Sequence, residues 1–196
     1  MQIALFDFDH TITTCDTYAR FLRRVATPDQ LARARWAVGP WLLGYRAGMI
    51  SAAGIRARVT RFAFTGRDAS EIAAHGDAYA RDVLPGLLRP EVMRRIEWHR
   101  AREHTLVLVS GSLDLYLAPW SRAHGMELIC NRLEQADGRL TGRYAGGDRG
   151  PHKAREIAAR FDIARFERIH AYGDSREDRS MLALAHERWY RGKRIA

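Results

Sequence analysis

The chain has 196 residues, of which 46% are hydrophobic, so it can bury one sizeable core and is not intrinsically disordered. No apolar run approaches the ~20 residues that cross a bilayer, and acidic residues interrupt the first apolar stretch. We therefore expect no membrane span, no signal peptide and a cytoplasmic location. The two cysteines indicate neither a disulfide framework nor a metal-binding pair.

The basic residues give the chain a formal charge of +9 and an isoelectric point of about 10.2. Only Lys153 and Lys193 among its 32 basic residues are lysines, and the arginines are scattered along the whole sequence. Such a distribution is typical of a compositional bias, so we expect no nucleic-acid partner. Lys153 is conspicuous because a site that needs a compact charge on a flexible stem selects lysine over arginine. It could equally be a solvated helix residue.

The first predicted element is a buried strand at residues 3–6, which ends at Asp7 and Asp9. Open α/β sheets bind their ligands at the carboxyl ends of such strands. Buried carboxylates are costly unless they are paired or bind a metal, so two of them at a strand end indicate a site. The alternative is that Asp9 or Thr11 only caps a helix or turn.

Residues 16–84 show helical spacing of apolar residues and several helix-start signals. Within them the apolar segment Trp36–Ile50 contains Gly39-Pro40 and is flanked by arginines at positions 33, 35 and 46. This segment has about half of the length that spans a bilayer, and we expect it to pack inside the helical unit. The alternative is that it lies in a membrane interface. Cys15 lies near the acidic pair but has no partner base, so we expect a packed cysteine.

After residue 84 the pattern alternates between helices and strands. We predict helices at 89–102, 113–124, 153–161 and 179–186, strands at 105–109, 127–130, 169–172 and 189–190, and a turn between short polar strands at Asp137-Gly138. The strands at 3–6, 105–109 and 169–172 each end in polar residues, which a parallel sheet brings to one edge. The predicted fold is therefore an α/β protein with a Rossmann-like parallel sheet core, 1–15 and 85–196, and an inserted all-helical cap, 16–84.

The polar residues at these strand ends resemble a known set of motifs. Asp7-Phe8-Asp9-His10-Thr11 is similar to the DxDxT signature of haloacid dehalogenase-like (HAD) phosphohydrolases. Ser110, Lys153 and the GDxxxD run Gly173–Asp178 match the other three motifs, in family order. The position of the cap resembles the helical-cap branch that includes phosphoserine phosphatase.

The resemblance implies a role for each of these residues. Asp7 would be the nucleophile and Asp9 the general acid and base. Phosphate would be bound by Ser110, Gly111 and Lys153, and Mg²⁺ by the Asp7 and Asp174 carboxylates and the Asp9 backbone carbonyl. Asp178 would orient the metal site or join it.

Local alternatives remain for several of these residues. Ser110-Gly111 could be only a turn, and Asp174 could be a helix N-cap. Asp178 could pair with Arg176 or Arg179 on the surface.

The resemblance is less specific about the substrate. In phosphoserine phosphatases an acidic residue at the offset of Asp16 holds the substrate amine, but here it could merely cap the first cap helix. Phe21–Arg24, Trp36–Ile50 and Glu187–Tyr190 are similar to segments of HAD-type phosphatidylglycerophosphate phosphatases.

The sequence therefore predicts a Mg²⁺-dependent phosphomonoesterase that acts on a small phosphorylated metabolite through an aspartyl-phosphate. A lipid-phosphate phosphatase and a binding protein without turnover are the alternatives. The sequence indicates neither the physiological substrate nor the oligomeric state.

Overall fold

The computed structural model describes the backbone of residues 1–196 and all side chains except those of Pro28, Leu31, Arg35 and Arg46. The strands are β1 (Gln2–Phe6), β2 (Thr105–Leu113), β3 (Glu127–Asn131), β4 (Leu133–Ala136), β5 (Arg139–Tyr144), β6 (Arg168–Gly173), β7 (Glu187–Tyr190) and β8 (Lys193–Ile195). The helices are α1 (Thr17–Val25), α2 (Pro28–Arg46), α3 (Ala52–Phe64), α4 (Ala69–Asp82), α5 (Pro90–Arg100), α6 (Asp114–Ala123), α7 (Lys153–Arg160) and α8 (Arg179–Ala183).

Six strands form one sheet in the order β3-β2-β1-β6-β7-β8, and all neighbours are parallel except β7 and β8. The register places Ala4 of β1 between Leu106 of β2 and His170 of β6. The predicted parallel sheet is thus confirmed, and the three strands that end in polar residues are its adjacent central strands. The sequence pattern did not reveal β8, because its three residues are exposed and two of them are basic.

Both faces of the sheet are buried, as a parallel sheet requires. Ile3 and Leu5 of β1 point into one apolar cluster, which α7 and α8 cover through Ile157 and Met181. Alternate residues of β1 enter the larger cluster on the other face, where Phe6 stacks on Tyr172 with ring centroids 4.3 Å apart. Cys15 packs against this second cluster, as expected.

Helices α1 to α4 follow one another between β1 and α5, in agreement with the predicted helical insertion. Each begins after a residue whose side chain accepts a hydrogen bond from a backbone N–H of the first turn, namely Asp16, Thr27, Ser51 and Asp68. The hairpin of β4 and β5 lies against α3. Its turn residues Asp137 and Gly138 both have positive φ, which the predicted two-residue hairpin turn requires. The division into a core and a cap domain at residues 15 and 84 stays a prediction.

The expectation that Trp36–Ile50 packs inside the helical unit is wrong. The side chains of Trp36, Leu43 and Met49 are 87%, 67% and 78% exposed. Helix α2 continues through Pro40, although an interior proline removes one backbone hydrogen bond and crowds the preceding turn. The principal neighbour of α2 is α3, and a single neighbour covers only one side of a helix. The side chains of Arg35 and Arg46, two of the flanking arginines, lie outside the described residues.

Candidate active site

A cavity of ≈ 1600 Å³ opens at the carboxyl ends of β1, β2 and β6. Seven of the eight residues predicted for the site line it: Asp7, Asp9, Asp16, Ser110, Gly111, Lys153 and Asp174. The eighth, Asp178, is fully buried and contacts the cavity residues from behind. The fold therefore brings the predicted residues together, although they come from positions up to 171 apart in the chain.

The chain directs Asp7 and Asp9 apart as it leaves β1. Asp7 is still extended, and its N–H donates to the Tyr172 carbonyl oxygen at 2.9 Å. The next residues, Phe8–Ile12, form a single wide helical turn in which His10 has φ of +57°. Asp7 consequently faces α7, whereas Asp9 faces β2 and the start of α1.

Lys153 joins two buried carboxylates. Its Nζ donates to Asp7 Oδ1 and to Asp178 Oδ1, both at 2.6 Å, and all three side chains are buried. Thr11 donates a further hydrogen bond to Asp7 Oδ2 at 3.1 Å. The interpretation of Lys153 as a solvated helix residue is therefore wrong, because α7 points this side chain into the protein.

Asp178 organises the loop after β6. Its Oδ2 accepts hydrogen bonds from the backbone N–H groups of Asp174 and Ser175, at 3.0 and 2.8 Å. Gly173 is required beside it, since a Cβ at that position would lie 2.6 Å from the Asp178 Cβ. Asp178 thus does not pair with a surface arginine, and Asp174 does not cap α8. The loop after β6 instead holds the Asp174 carboxylate at the cavity.

The donor set suits a divalent cation. Carboxylate oxygens of Asp7, Asp174 and Asp178 lie within 4.8 Å of one another. Only Lys153 makes ion pairs with this group among the described residues, so three carboxylates and one ammonium leave two surplus negative charges. Burial raises the pKa of Asp7 and of Asp174, and repulsion from Asp178 adds to both shifts. Closely spaced oxygen ligands with excess negative charge fit Mg²⁺.

Asp9 has a separate set of partners. Its carboxylate accepts hydrogen bonds from the Ser112 hydroxyl and from the Thr17 N–H and hydroxyl. Burial and repulsion from Asp16 raise the pKa of Asp9. A carboxyl group with a raised pKa holds its proton closer to neutral pH, which is what a general acid needs. Ser112 and Thr17 could not be predicted from the sequence, because no local pattern connects them with Asp9.

Ser110 and Gly111 belong to a strand and not to the turn considered above. Strand β2 continues to Leu113, and its register with β3 shifts between Val109 and Leu113. Bulges of this kind re-aim side chains beside sites. Within the bulge the Ser112 N–H donates to Ser110 Oγ at 3.0 Å, while Asn131 Nδ2 donates to the Gly111 carbonyl oxygen at 2.8 Å.

Asp16 performs the helix-capping role that was the alternative for it. Its Oδ1 accepts a hydrogen bond from the Ala19 N–H at 2.8 Å, which caps α1. The residue is nevertheless exposed and lines the cavity, so capping and contact with a ligand are compatible.

A partly buried arginine from the helical insertion reaches the sheet edge. Arg56 of α3 forms ion pairs with Asp148 at 2.8 Å and Glu177 at 3.0 Å. Gly150 permits this approach, because a Cβ there would lie 2.5 Å from the guanidinium. The sequence analysis missed this cluster, since its members are distant in the chain and match no motif. The two ion pairs of Arg56 hold α3 over the cavity.

Comparisons with known proteins agree with this arrangement. A model of the haloacid dehalogenase-like hydrolase family matches residues 4–183. Protein CicA of Caulobacter vibrioides is 32% identical over 203 residues, which cover 96% of this chain and 85% of CicA.

Solved structures share the fold. A protein of unknown function from Bordetella pertussis Tohama I has a TM-score of 0.81 at 26% identity, with 95% of this chain and 88% of that chain covered. A substrate-bound phosphoserine phosphatase has a TM-score of 0.66 at 17% identity, with 96% and 84% covered.

Proposed function

The chain belongs to the haloacid dehalogenase-like hydrolase family, and we propose that it is a Mg²⁺-dependent phosphatase that hydrolyses monoesters of small metabolites through an aspartyl-phosphate. The resemblance drawn from the sequence is thereby confirmed at the level of the family. One observation carries the proposal: a buried lysine contacts Asp7 at the end of the central strand, while Asp9 faces the same cavity with a raised pKa.

Asp7 is the nucleophile in this mechanism. One of its carboxylate oxygens attacks phosphorus, and the bond from phosphorus to the ester oxygen breaks. The Asp7 carboxylate is rigidly held, because Lys153 and Thr11 each bond one of its oxygens. Such positioning removes part of the entropic barrier to attack.

Asp9 moves the protons. In its acid form it protonates the departing ester oxygen, and as a carboxylate it then takes a proton from the water that attacks the aspartyl-phosphate. This second attack releases inorganic phosphate and restores Asp7. Ser112 and Thr17 hold the Asp9 side chain in place throughout.

The phosphoryl oxygens would be bound by Lys153, by the Ser110 hydroxyl and by the Gly111 N–H. Mg²⁺, held by the carboxylates of Asp7 and Asp174 and the backbone carbonyl of Asp9, would neutralise phosphate charge. Lys153 contributes a positive charge that does not depend on the metal.

Arg56 and Asp16 are among the charged residues that line the cavity beyond the phosphate position. A small substrate with charged groups besides its phosphate would find partners there. Phosphoserine has both an amine and a carboxylate, and one structural neighbour is a phosphoserine phosphatase with bound substrate. We therefore place phosphoserine first in a panel of phosphorylated metabolites.

Turnover of p-nitrophenyl phosphate, and then of the panel, tests the proposal with Mg²⁺ and with chelator. We expect Mg²⁺-dependent release of phosphate and a loss of roughly 10³-fold or more in the Asp7→Asn variant, which keeps the shape of the side chain. Binding of phosphate esters without turnover of any of them would instead identify a binding protein.

A second candidate function, a lipid-phosphate phosphatase, is favoured by the exposed apolar surface of α2 and the loop after it. This surface consists of Trp36, Trp41, Leu42, Leu43, Tyr45 and Met49. Leu42 and Tyr45 also line the cavity, so a lipid inserted at this surface would have its headgroup near the site.

Charge on the same surface suits an anionic membrane. The guanidinium carbon of Arg58 lies 4.1 Å from the ring centroid of Trp41, and Arg33 is exposed on α2. Each arginine near an anionic surface contributes ~1 kcal/mol to binding. Among the helices of the described chain, none combines the length and hydropathy needed to cross a bilayer, so contact would be confined to the interface.

Co-sedimentation with phosphatidylglycerol vesicles at low and moderate salt distinguishes the two candidates. Salt-sensitive binding that is lost in a folded Trp36→Ala/Trp41→Ala variant, but kept in Trp98→Ala, would support the lipid phosphatase. Trp98 is a matched control, since it is a partly exposed tryptophan on α5. The absence of binding to phosphatidylglycerol and to neutral phosphatidylcholine vesicles would favour a substrate in solution.

A further inference from the structure

Three histidines converge at a second place in the fold, outside the catalytic cavity. His99 lies near the end of α5, His104 directly precedes β2, and His170 is in the middle of β6. His104 and His170 line a smaller cavity of ≈ 380 Å³ that shares no lining residue with the catalytic one, and His99 is fully buried beside them. The proposed phosphatase mechanism uses none of them.

The ring nitrogens of these histidines have the spacing of metal ligands. His99 Nδ1 and His104 Nδ1 are 2.8 Å apart, and one nitrogen from each of the three rings lies within 4.8 Å of the others. A zinc ion with bonds of 2.0–2.1 Å in tetrahedral geometry separates its nitrogen ligands by roughly 3.3 Å. Small side-chain movements would therefore place all three around one ion.

The hydrogen bonds of His170 leave a lone pair free inside the protein. Its Nε2 lies 3.0 Å from Gln2 Oε1, which can only accept, so Nε2 carries the hydrogen. Nδ1 of the neutral ring is then an unprotonated acceptor. It is buried and has no hydrogen-bond partner within the described part of the chain, and Glu187 Oε2 lies 3.8 Å from it.

The ring of His99 is also oriented by a hydrogen bond at one of its two nitrogens. Its Nε2 is 2.8 Å from the Tyr172 hydroxyl, while its Nδ1 faces His104. Metal-binding histidines are commonly held in this way, with the outer nitrogen bonded to a polar group and the inner one directed at the ion. Burial lowers the pKa of His99 to about 3, which keeps its ring neutral and able to bind a cation.

We propose that His99, His104 and His170 form a binding site for a zinc ion, with water in the fourth position. Three imidazoles with an open fourth position are a known zinc set, whereas Mg²⁺ prefers oxygen ligands. Glu187 and Glu167, which also line the smaller cavity, offset the positive charge of Arg102 and Arg168 beside it. The ion would connect α5, the start of β2 and β6, and would stabilise the fold without taking part in phosphate hydrolysis.

The test must remove zinc binding at the catalytic carboxylates, so it uses an Asp7→Asn/Asp174→Asn background. Zinc binding to this protein is measured by calorimetry, and Co²⁺ is used as a spectroscopic substitute. We expect one equivalent of zinc, an increase in melting temperature on zinc addition, and the strong visible absorption of tetrahedral Co²⁺. Absence of zinc binding, or the weak spectrum of octahedral Co²⁺, would overturn the proposal.

His104→Asn in the same background identifies the ligands, because His104 is only partly buried and its replacement is the mildest of the three. We expect zinc affinity to fall on the order of 100-fold or more, since even loss of an outer supporting partner costs 10–100-fold. The matched control is His75→Asn, an exposed histidine on α4, which should bind zinc normally. Equal affinity in the two variants would show that the histidine cluster is an aromatic stack without a metal. The Co²⁺ spectrum of the unmutated cluster decides the matter even if His104→Asn does not fold.

Discussion

Replacing Lys153 by methionine removes the only cation that pairs with the buried carboxylates among the described side chains, and it keeps most of the side-chain volume. In the folded chain its Nζ is 2.6 Å from oxygens of both Asp7 and Asp178. Asp178 is fully buried, so water cannot replace the ammonium group that it loses. We expect the variant to be strongly destabilised when no divalent cation is present.

The size of the effect follows from this burial. Removal of one partner from a buried ion pair costs about 3–5 kcal/mol, because an uncompensated charge stays inside the protein. For a chain of this length each kcal/mol lowers the melting temperature by about 2–4 °C. Lys153→Met should therefore melt roughly 6–20 °C below the unmodified protein in chelator.

The destabilisation should grow with pH. Burial raises the pKa of Asp7 above its ordinary value, and loss of Lys153 raises this pKa further. The folded protein then holds a proton that the unfolded chain has released above pH ~4, so stability falls as pH rises through the folded-state pKa. The difference between variant and unmodified protein should be larger at pH 8 than at pH 5.

Thermal melting in chelator at these two pH values measures the effect. Lys193→Met is the matched control, since Lys193 is the other lysine of the chain and is exposed in β8. It should melt within about 2 °C of the unmodified protein. If Lys153→Met and Lys193→Met melted alike at pH 8, the buried ion pair would not have the energetic role assigned to it.

Three further outcomes follow from the same geometry. Asp9→Asn should lose far more activity with alkyl phosphates than with aryl phosphates, whose leaving group needs little protonation; equal losses would contradict the acid role. Mg²⁺ at a hundred times its Kd should stabilise the fold by ~2.7 kcal/mol, measured as a shift in melting temperature, and Asp174→Asn should abolish most of that shift. Gly76→Ala should cost about 1–3 kcal/mol in denaturant unfolding, because its Cβ would lie 2.5 Å from the Leu115 carbonyl oxygen; Gly86→Ala, with open space around it, should be near neutral.

The catalytic face of the sheet could be predicted because its signals are local. Each of the three central strands is a run of apolar residues followed by polar ones. These polar residues begin at Asp7, near position 110 and near position 174, so each strand end can be recognised within a few residues of sequence. Parallel pairing then adds the long-range information, since it aligns the carboxyl ends of strands that are far apart in the chain. Lys153 could be recognised by composition, because this chain otherwise uses arginine.

Contacts between distant segments gave no such signal. Arg56 is one of many arginines, and nothing near it in sequence indicates that Asp148 and Glu177 are its partners. The bulge in β2 was also hidden, because Ser110-Gly111-Ser112 has the composition of a turn. In both cases the tertiary structure decided between local alternatives that the sequence leaves equal.

The burial of helix α2 was predicted wrongly for a different reason. Its apolar composition was taken as evidence of burial, but burial depends on how many neighbours a helix has and not on its composition alone. Here α3 covers one side, and Trp36 and Leu43 remain exposed. A large apolar surface that the fold leaves uncovered, next to arginines and to the mouth of the catalytic cavity, has the character of an interaction surface. The choice between the two proposed substrate classes therefore depends on this helix, because the proposed catalytic residues would act on a phosphate monoester from solution and on one from a membrane alike.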